Sequence, residues 1–243
     1  MIDPAALPAE PEAFGPQLAR SLEAWRAEGY RVVWLEVPMS HVDLIPVAVR
    51  LGFAFHHADP DHAMLTYSLT PEAFIPPHAT HYIGAGGVVV NRRGELLVVV
   101  ERAHRHRLPH YYKLPGGALK PGEHLIAGVR REVLEETGIE TRFVSLMGFR
   151  HWHGYRFGKS DIYFICRLDP CSEEIHRQES EILECRWMPV EAYLGDENVG
   201  IFNKGVVAAA LNGTGLVPGW FEGYAAPETH EIFLPNGAQS SDG

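Results

Sequence analysis

Apolar residues in this chain recur with two periods, and the switches between them mark out the elements. From residue 14 to 29 they step by three and four (Phe14, Leu18, Leu22, Trp25), as on one face of a helix, and Gly29 closes the run. Tyr30 to Val37 then reads as a strand, Ser40 as the start of a second helix reaching about Leu51, and Gly52 as its end. Segments 53–56 and 63–69 read as a hairpin. This pattern predicts a small α/β domain over residues 14–70, after a Pro- and Ala-rich, disordered start at 1–13.

Residues 71–80 carry three prolines and no period, which predicts a linker. Strands follow at 81–90 and 95–101, separated by Asn-Arg-Arg-Gly, a hairpin turn. A helix is predicted over 123–137, strands over 142–149, 160–168 and 184–189, and helices over 190–194 and 198–211. The main domain therefore runs from 81 to 212. A tail over 213–243 holds Trp220, Phe221, Tyr224, Ile232 and Phe233, so part of it is expected to pack onto the body.

Composition narrows the classes. The 243 residues are 46% hydrophobic, enough for one or two real cores. No run of about 18 apolar residues occurs, so no transmembrane span is expected, and the first residues lack the pattern of a signal peptide. Cys166, Cys171 and Cys185 show no metal-ligand spacing and cannot all pair, which suits reduced thiols in a cytoplasmic protein. A net charge of −10 argues against nucleic acid as a general partner. Two basic stretches stand out against it: 102–110, and Arg150, His151, His153, Arg156 and Lys159. Both flank the segment that carries the chemistry.

That segment is residues 117–139. It fits G-x5-E-x7-R-E-U-x-E-E-x-G-U, with U aliphatic, at Gly117, Glu123, Arg131, Glu132, Val133, Glu135, Glu136, Gly138 and Ile139. A chance match has odds on the order of one in a billion per starting position. At 100° per residue, Glu135 and Glu136 flank Glu132 on one narrow face, while Ile126, Val129 and Val133 take the face beside it. Like charges so placed each weaken a bare helix by about 0.2–0.5 kcal/mol. Three carboxylates crowding together, with Arg131 pointing elsewhere, is the expectation for a site that holds a hard divalent cation, Mg²⁺ or Mn²⁺. Gly138 stands where a helix end favours a left-handed residue. The glycines of Leu114-Pro115-Gly116-Gly117 let backbone approach a ligand closely.

The segment resembles the Nudix box of hydrolases that cleave nucleoside diphosphates linked to another moiety. The resemblance implies an α/β/α sandwich with a mixed sheet. It also implies metal binding by Glu132, Glu135 and Glu136 with the Gly117 carbonyl, and a structural Glu123–Arg131 ion pair. Further segments (Gly52 to Asp59, Leu65 to Leu69, His81 to Gly87, Lys159 to Cys166, Glu179 to Pro189) are similar to animal Nudix-type motif 6 proteins and plant ADP-ribose/NADH Nudix hydrolases. In those proteins a small acetyltransferase-like N-terminal domain precedes the catalytic one. Here it is expected to serve as a scaffold or to form a homodimer, since residues 30–70 hold no Gly-rich pyrophosphate loop.

Substrate markers outside the box are mixed. The NADH signature Ser-Gln-Pro-Trp-Pro-Phe-Pro is absent, and Gly154 stands where many ADP-ribose pyrophosphatases carry proline. Tyr155 matches some dinucleoside polyphosphate hydrolases, and Glu101-Arg102-Ala103 with Arg107 partly echoes the CoA pattern. The expected substrate is an ADP-linked pyrophosphate such as ADP-ribose or NADH. CoA, dinucleoside polyphosphates and a non-catalytic nucleotide-binding regulator are the alternatives. Arg102, Arg107, Lys113, Arg150, Trp152 and Tyr155 are the expected substrate contacts, with Trp152, Tyr155 and Phe157 able to stack on a base. Glu181 or Glu184 is the expected extra acid, as base or further metal ligand, beside Glu132, Glu135 and Glu136.

Overall fold

A computed structural model describes residues 1–104 and 111–237. The chain divides into two units, Met1–Thr80 and His81–Gly243.

In the first unit, helix α1 (Pro11–Ala27) and a short α2 (Ile45–Arg50) accompany an antiparallel three-stranded sheet. Its strands β1 (Val32–Pro38), β2 (Ala54–Ala58) and β3 (His62–Ser68) lie in the order β1-β3-β2. Phe14, Leu18 and Leu22 from the predicted stripe meet Val33, Leu35, Val37 and Leu65 in one core. Two expectations change here. The start is not an unstructured lead: Ile2 N–H donates to the Trp34 carbonyl (2.8 Å), and Pro4–Ala6 forms a 3₁₀ turn capped by Asp3. The helix expected from Ser40 begins instead as a 3₁₀ turn over Met39–Leu44, and Pro46 then sits in the first turn of α2, where its missing N–H costs nothing.

The second unit is built on a six-stranded mixed sheet in the order β11-β10-β7-β8-β4-β6. Its members are β4 (His81–Val89), β6 (Gly116–Ala118), β7 (Thr141–Trp152), β8 (Ser160–Pro170), β10 (Leu216–Gly219) and β11 (Ile232–Pro235). A separate antiparallel pair joins β5 (Glu95–Glu101) to β9 (Ile182–Pro189). The expected hairpin is thereby corrected. The Asn91–Gly94 turn forms, but β4 and β5 part into different sheets after a single bridge at Val90–Leu96. Every residue from Leu96 to Val100 is buried, so β5 has a core on both sides. Leu96, Val98 and Val100 pack in one core with Tyr193, Val207 and Ala210 of helices α4 (Val190–Gly195) and α5 (Ile201–Asn212). Leu97 packs in another with Val129 and Val133 of helix α3 (Leu125–Thr137). Two cores on opposite faces of the strands make the α/β/α layering.

The tail is no separate appendage. β10 pairs with β7, and Phe233 of β11 packs against Phe143 (ring centroids 5.7 Å apart). It also caps α3: the Glu231 carboxylate accepts from the Leu125 and Ile126 N–H groups at 2.5 and 3.3 Å. His124, at the N-cap itself, makes no side-chain cap bond. At the other end Gly138 has φ +75°, and a Cβ there would lie 2.6 Å from His176 Cβ and 2.8 Å from its nitrogen. Gly138→Ala is therefore expected to destabilise the protein by about 2–3 kcal/mol in urea unfolding, the left-handed cost plus the clash. An unchanged midpoint would refute this role. Among the described residues no helix is long and apolar enough to cross a membrane.

Candidate active site

The box folds as a strand, a loop and a helix held together by one guanidinium. Arg131 donates to both oxygens of Glu123 (2.7 and 2.8 Å), and its Nη2 reaches the Ala118 carbonyl at 3.2 Å. Glu123 also accepts from the Lys120 N–H (2.9 Å), so β6, the loop and α3 share one knot. Glu123 is drawn down to about 2, chiefly by its hydrogen bonds from Arg131. One expectation needs correcting: Arg131 does not point away from the acids. Its Nη1 also donates to Glu132 (2.7 Å) and Glu135 (3.0 Å), because Glu135 lies one turn along the helix.

The third acid takes a different position. Glu136 is 5% exposed, and its Oε2 accepts from the Gly116 N–H at 2.9 Å. Burial pushes it up to about 7, against the opposing pull of Lys113, with Glu101 and Glu132 adding to the rise. The three box carboxylates thus share one helix face without converging on one point. Gly117 abuts Glu132: a Cβ at that position would fall 2.5 Å from Glu132 Oε2, so a larger residue would push that carboxylate aside. Carboxylate oxygens beside an exposed backbone are the donor set of a hard divalent cation, and the residues present fit one.

A cavity of about 900 Å³ opens beside the box and meets it at Gly116, Gly117 and Ala118. Lys113, Arg150, Trp152 and Tyr155, all expected from the sequence, line it, and Lys113 pairs with Glu101. Arg150 donates to the buried Asp161 (2.6 Å), and its guanidinium stands over the rings of Trp152, Tyr163 and Phe202 at 5.2–5.5 Å. Its Nε is buried with no partner among the described residues. Trp152 and Tyr155 meet edge to face, 5.0 Å apart. Phe157, 88% exposed at the cavity, holds φ +53° between Gly154 and Gly158, a backbone state uncommon for a bulky residue.

Other expected residues lie apart from this cavity. Arg102 spends its Nε on the Glu179 carbonyl (3.0 Å), and its N–H donates to the Glu181 carbonyl (2.8 Å). The Glu181 side chain is exposed. Glu184 accepts from the Tyr112 hydroxyl (2.9 Å) and pairs with Arg186 (3.5 Å). Arg107 lies outside the described residues. The sequence reading passed over Glu101, Asp161 and Tyr163 as site groups. A charge ending the apolar run Leu96–Val100 was the available signal for Glu101, and an acid inside a strand for Asp161. Phe202 and Asn203 on α5 carried none.

Family comparison agrees with this geometry. A Nudix hydrolase domain model matches residues 1–69, and a NUDIX domain model matches residues 80–209. Nudix hydrolase 2 of Arabidopsis thaliana is 42% identical over 188 residues, covering 77% of this chain and 68% of its own length. Nudix hydrolase 8 of the same plant is 39% identical over 196 residues, 80% of this chain and 53% of that protein, so the chain spans about half of it. The human nucleoside diphosphate-linked moiety X motif 6 is 37% identical, with 83% of this chain and 64% of that protein covered. A MutT protein from Methanosarcina mazei aligns at TM-score 0.46 and 25% identity, over 56% of this chain and 96% of its own. The chain belongs to the Nudix hydrolase family, whose members generally use divalent metals.

Proposed function

We propose that this protein hydrolyses the pyrophosphate bond of an ADP-linked nucleotide, ADP-ribose or NADH foremost, releasing AMP with Mg²⁺ or Mn²⁺ as cofactor. The observation that carries the reading is the junction of box and cavity at Gly116–Ala118, with cations and aromatic rings on the cavity wall. Glu132, Glu135 and Glu136, with the Gly117 carbonyl, would hold the ion. When bound it would shield the phosphates and lower the pKa of an attacking water.

The chain's own groups supply the rest. Lys113 and Arg150 neutralise phosphate charge from the cavity wall. Trp152, Tyr155 and Phe157 offer π-faces for the adenine. A box carboxylate left off the ion would serve as the base that takes the proton of the attacking water. Glu181 and Glu184 remain proposed auxiliary acids, although neither lines the cavity. The N-terminal unit is read as a scaffold through which two chains pair in the cytoplasm. A purely regulatory reading is weaker, because no box acid is missing.

A panel of ADP-ribose, NADH, CoA, FAD and diadenosine polyphosphates, assayed for AMP release with each metal, tests the reading. One ADP-linked substrate should dominate, and silence across the panel would sink it. Against that substrate Arg150→Ala should raise KM roughly tenfold while kcat changes little, the mark of a lost binding contact. An unchanged KM would remove Arg150 from the site.

A further inference from the structure

A second group of ligating side chains sits in the first unit, within the hairpin His56-His57-Ala58-Asp59-Pro60-Asp61-His62. In a regular strand, neighbours such as His56 and His57 would face opposite sides. A bulge between Phe55 and His57 breaks that rule, leaving His56 as the extra residue. The two imidazoles then meet, Nδ1 to Nδ1, at 2.6 Å. Ligand atoms of His57, Asp59 and His62 lie within 4.8 Å of one another.

Hydrogen bonding settles which nitrogens are available. The Pro76 carbonyl can only accept, so His56 Nε2, 2.7 Å away, carries the proton and His56 Nδ1 is bare in the neutral ring. His57 Nδ1 must then be the donor across the 2.6 Å contact, which leaves His57 Nε2 as a lone pair. The Asp61 carboxylate likewise accepts from His62 Nδ1 at 2.8 Å, which in the neutral ring leaves His62 Nε2 bare, 3.7 Å from Asp59 Oδ2, and a metal there would displace the proton that the neighbouring acids favour. Two imidazoles with free Nε2 atoms, each oriented through its other nitrogen, and one carboxylate make the arrangement of a transition-metal site. The partners behind the ligands fix the tautomers.

We propose that this hairpin binds one divalent transition-metal ion of the zinc class through His57, Asp59 and His62. Imidazole and carboxylate favour such an ion over Mg²⁺. Ligands on a tetrahedral zinc stand roughly 3.3 Å apart, given metal–ligand bonds of about 2.0–2.1 Å. The 3.7 Å between His62 and Asp59 closes to that value with small side-chain rotations. His78, exposed and stacked on His57 at 4.4 Å, is a neighbour that does not belong to this ligand set. A rival set is His56, His57 and His78.

The test uses the full chain without a histidine tag, stripped by chelation and held in saturating Mg²⁺ so that the box acids are occupied. Zn²⁺ is titrated calorimetrically. Wild type and His78→Ala should each bind one zinc tightly, whereas His57→Ala and His62→Ala should lose at least tenfold in affinity. Thermal melts of the stripped proteins check that each variant folds, and X-ray absorption should count two imidazoles. Absence of zinc binding in the wild type, or equal binding in His57→Ala and His62→Ala, would overturn the site. Loss in His78→Ala with retention in His62→Ala would overturn the ligand set in favour of the rival triad.

Discussion

Glu135→Gln is expected to lower kcat/KM on the preferred substrate by at least about two orders of magnitude and leave the fold intact. The argument rests on where the side chain stands. Glu135 is 46% exposed, and its partners are the Arg131 guanidinium at 3.0 Å and Lys120 at 3.7 Å. Exposed pairs of this kind contribute about 0–1 kcal/mol, so an isosteric amide costs little stability. The amide does remove one negative charge from the donor set that would hold the metal. Metal-borne charge stabilisation contributes several kcal/mol to such reactions, and about 3 kcal/mol corresponds to a factor of roughly one hundred or more. Circular dichroism and the melting temperature should match the wild type within a degree or two. Turnover at the wild-type rate would remove Glu135 from the metal site.

Glu123→Gln should do the reverse, costing stability first. The Glu123 and Arg131 side chains are 15% and 18% exposed, and their contact is bidentate. Losing a largely desolvated, charge-assisted pair costs about 2–3 kcal/mol. That corresponds to a melting temperature lower by roughly 5–10 °C for a chain of this size. The pH dependence has a definite sign. Glu123 lies at about 2 in the folded protein against an ordinary 4.5. Its contribution is therefore fully present above about 4.5 and lost as pH falls through about 2. The stability gap between wild type and variant should hold constant from neutral pH down to about 4.5 and shrink from there towards about 2. A gap that stays constant throughout that lower range would mean the pair is not its source.

The two variants test the separate roles, structural for Glu123 and metal-binding for Glu135, that the resemblance implies. Both lie in the same pattern, yet one binds back into the scaffold and the other stands half exposed on the helix face. Their difference comes from Arg131, which grips Glu123 through both oxygens because the loop folds back through Lys120, and which gives Glu135 a single contact one turn along the helix. The resemblance implied the Glu123 pair, whereas the Glu135 contact was not expected.

Local chemistry explains what could be read in advance. The box helix, its apolar face of Val129 and Val133, its closing Gly138, and the cavity positions of Lys113, Arg150, Trp152 and Tyr155 all follow from residue type and short spacing. Such signals act within one or two turns of helix or along one strand. What the tertiary structure alone decided depends on pairings far apart in sequence. β5 leaves its turn partner for β9, whose nearest residue lies some eighty positions further on. Glu231 reaches across 106 positions to cap Leu125. Glu184 is taken up by Tyr112, while Glu101 lines the cavity instead. Burial of Glu136 under Gly116, which sets its charge near neutral pH, is likewise a property of packing. The sequence by itself carried the box pattern and with it the family. Only the packed strands decided which side chains share a cavity, because desolvation and long-range contact have no local signature in the chain.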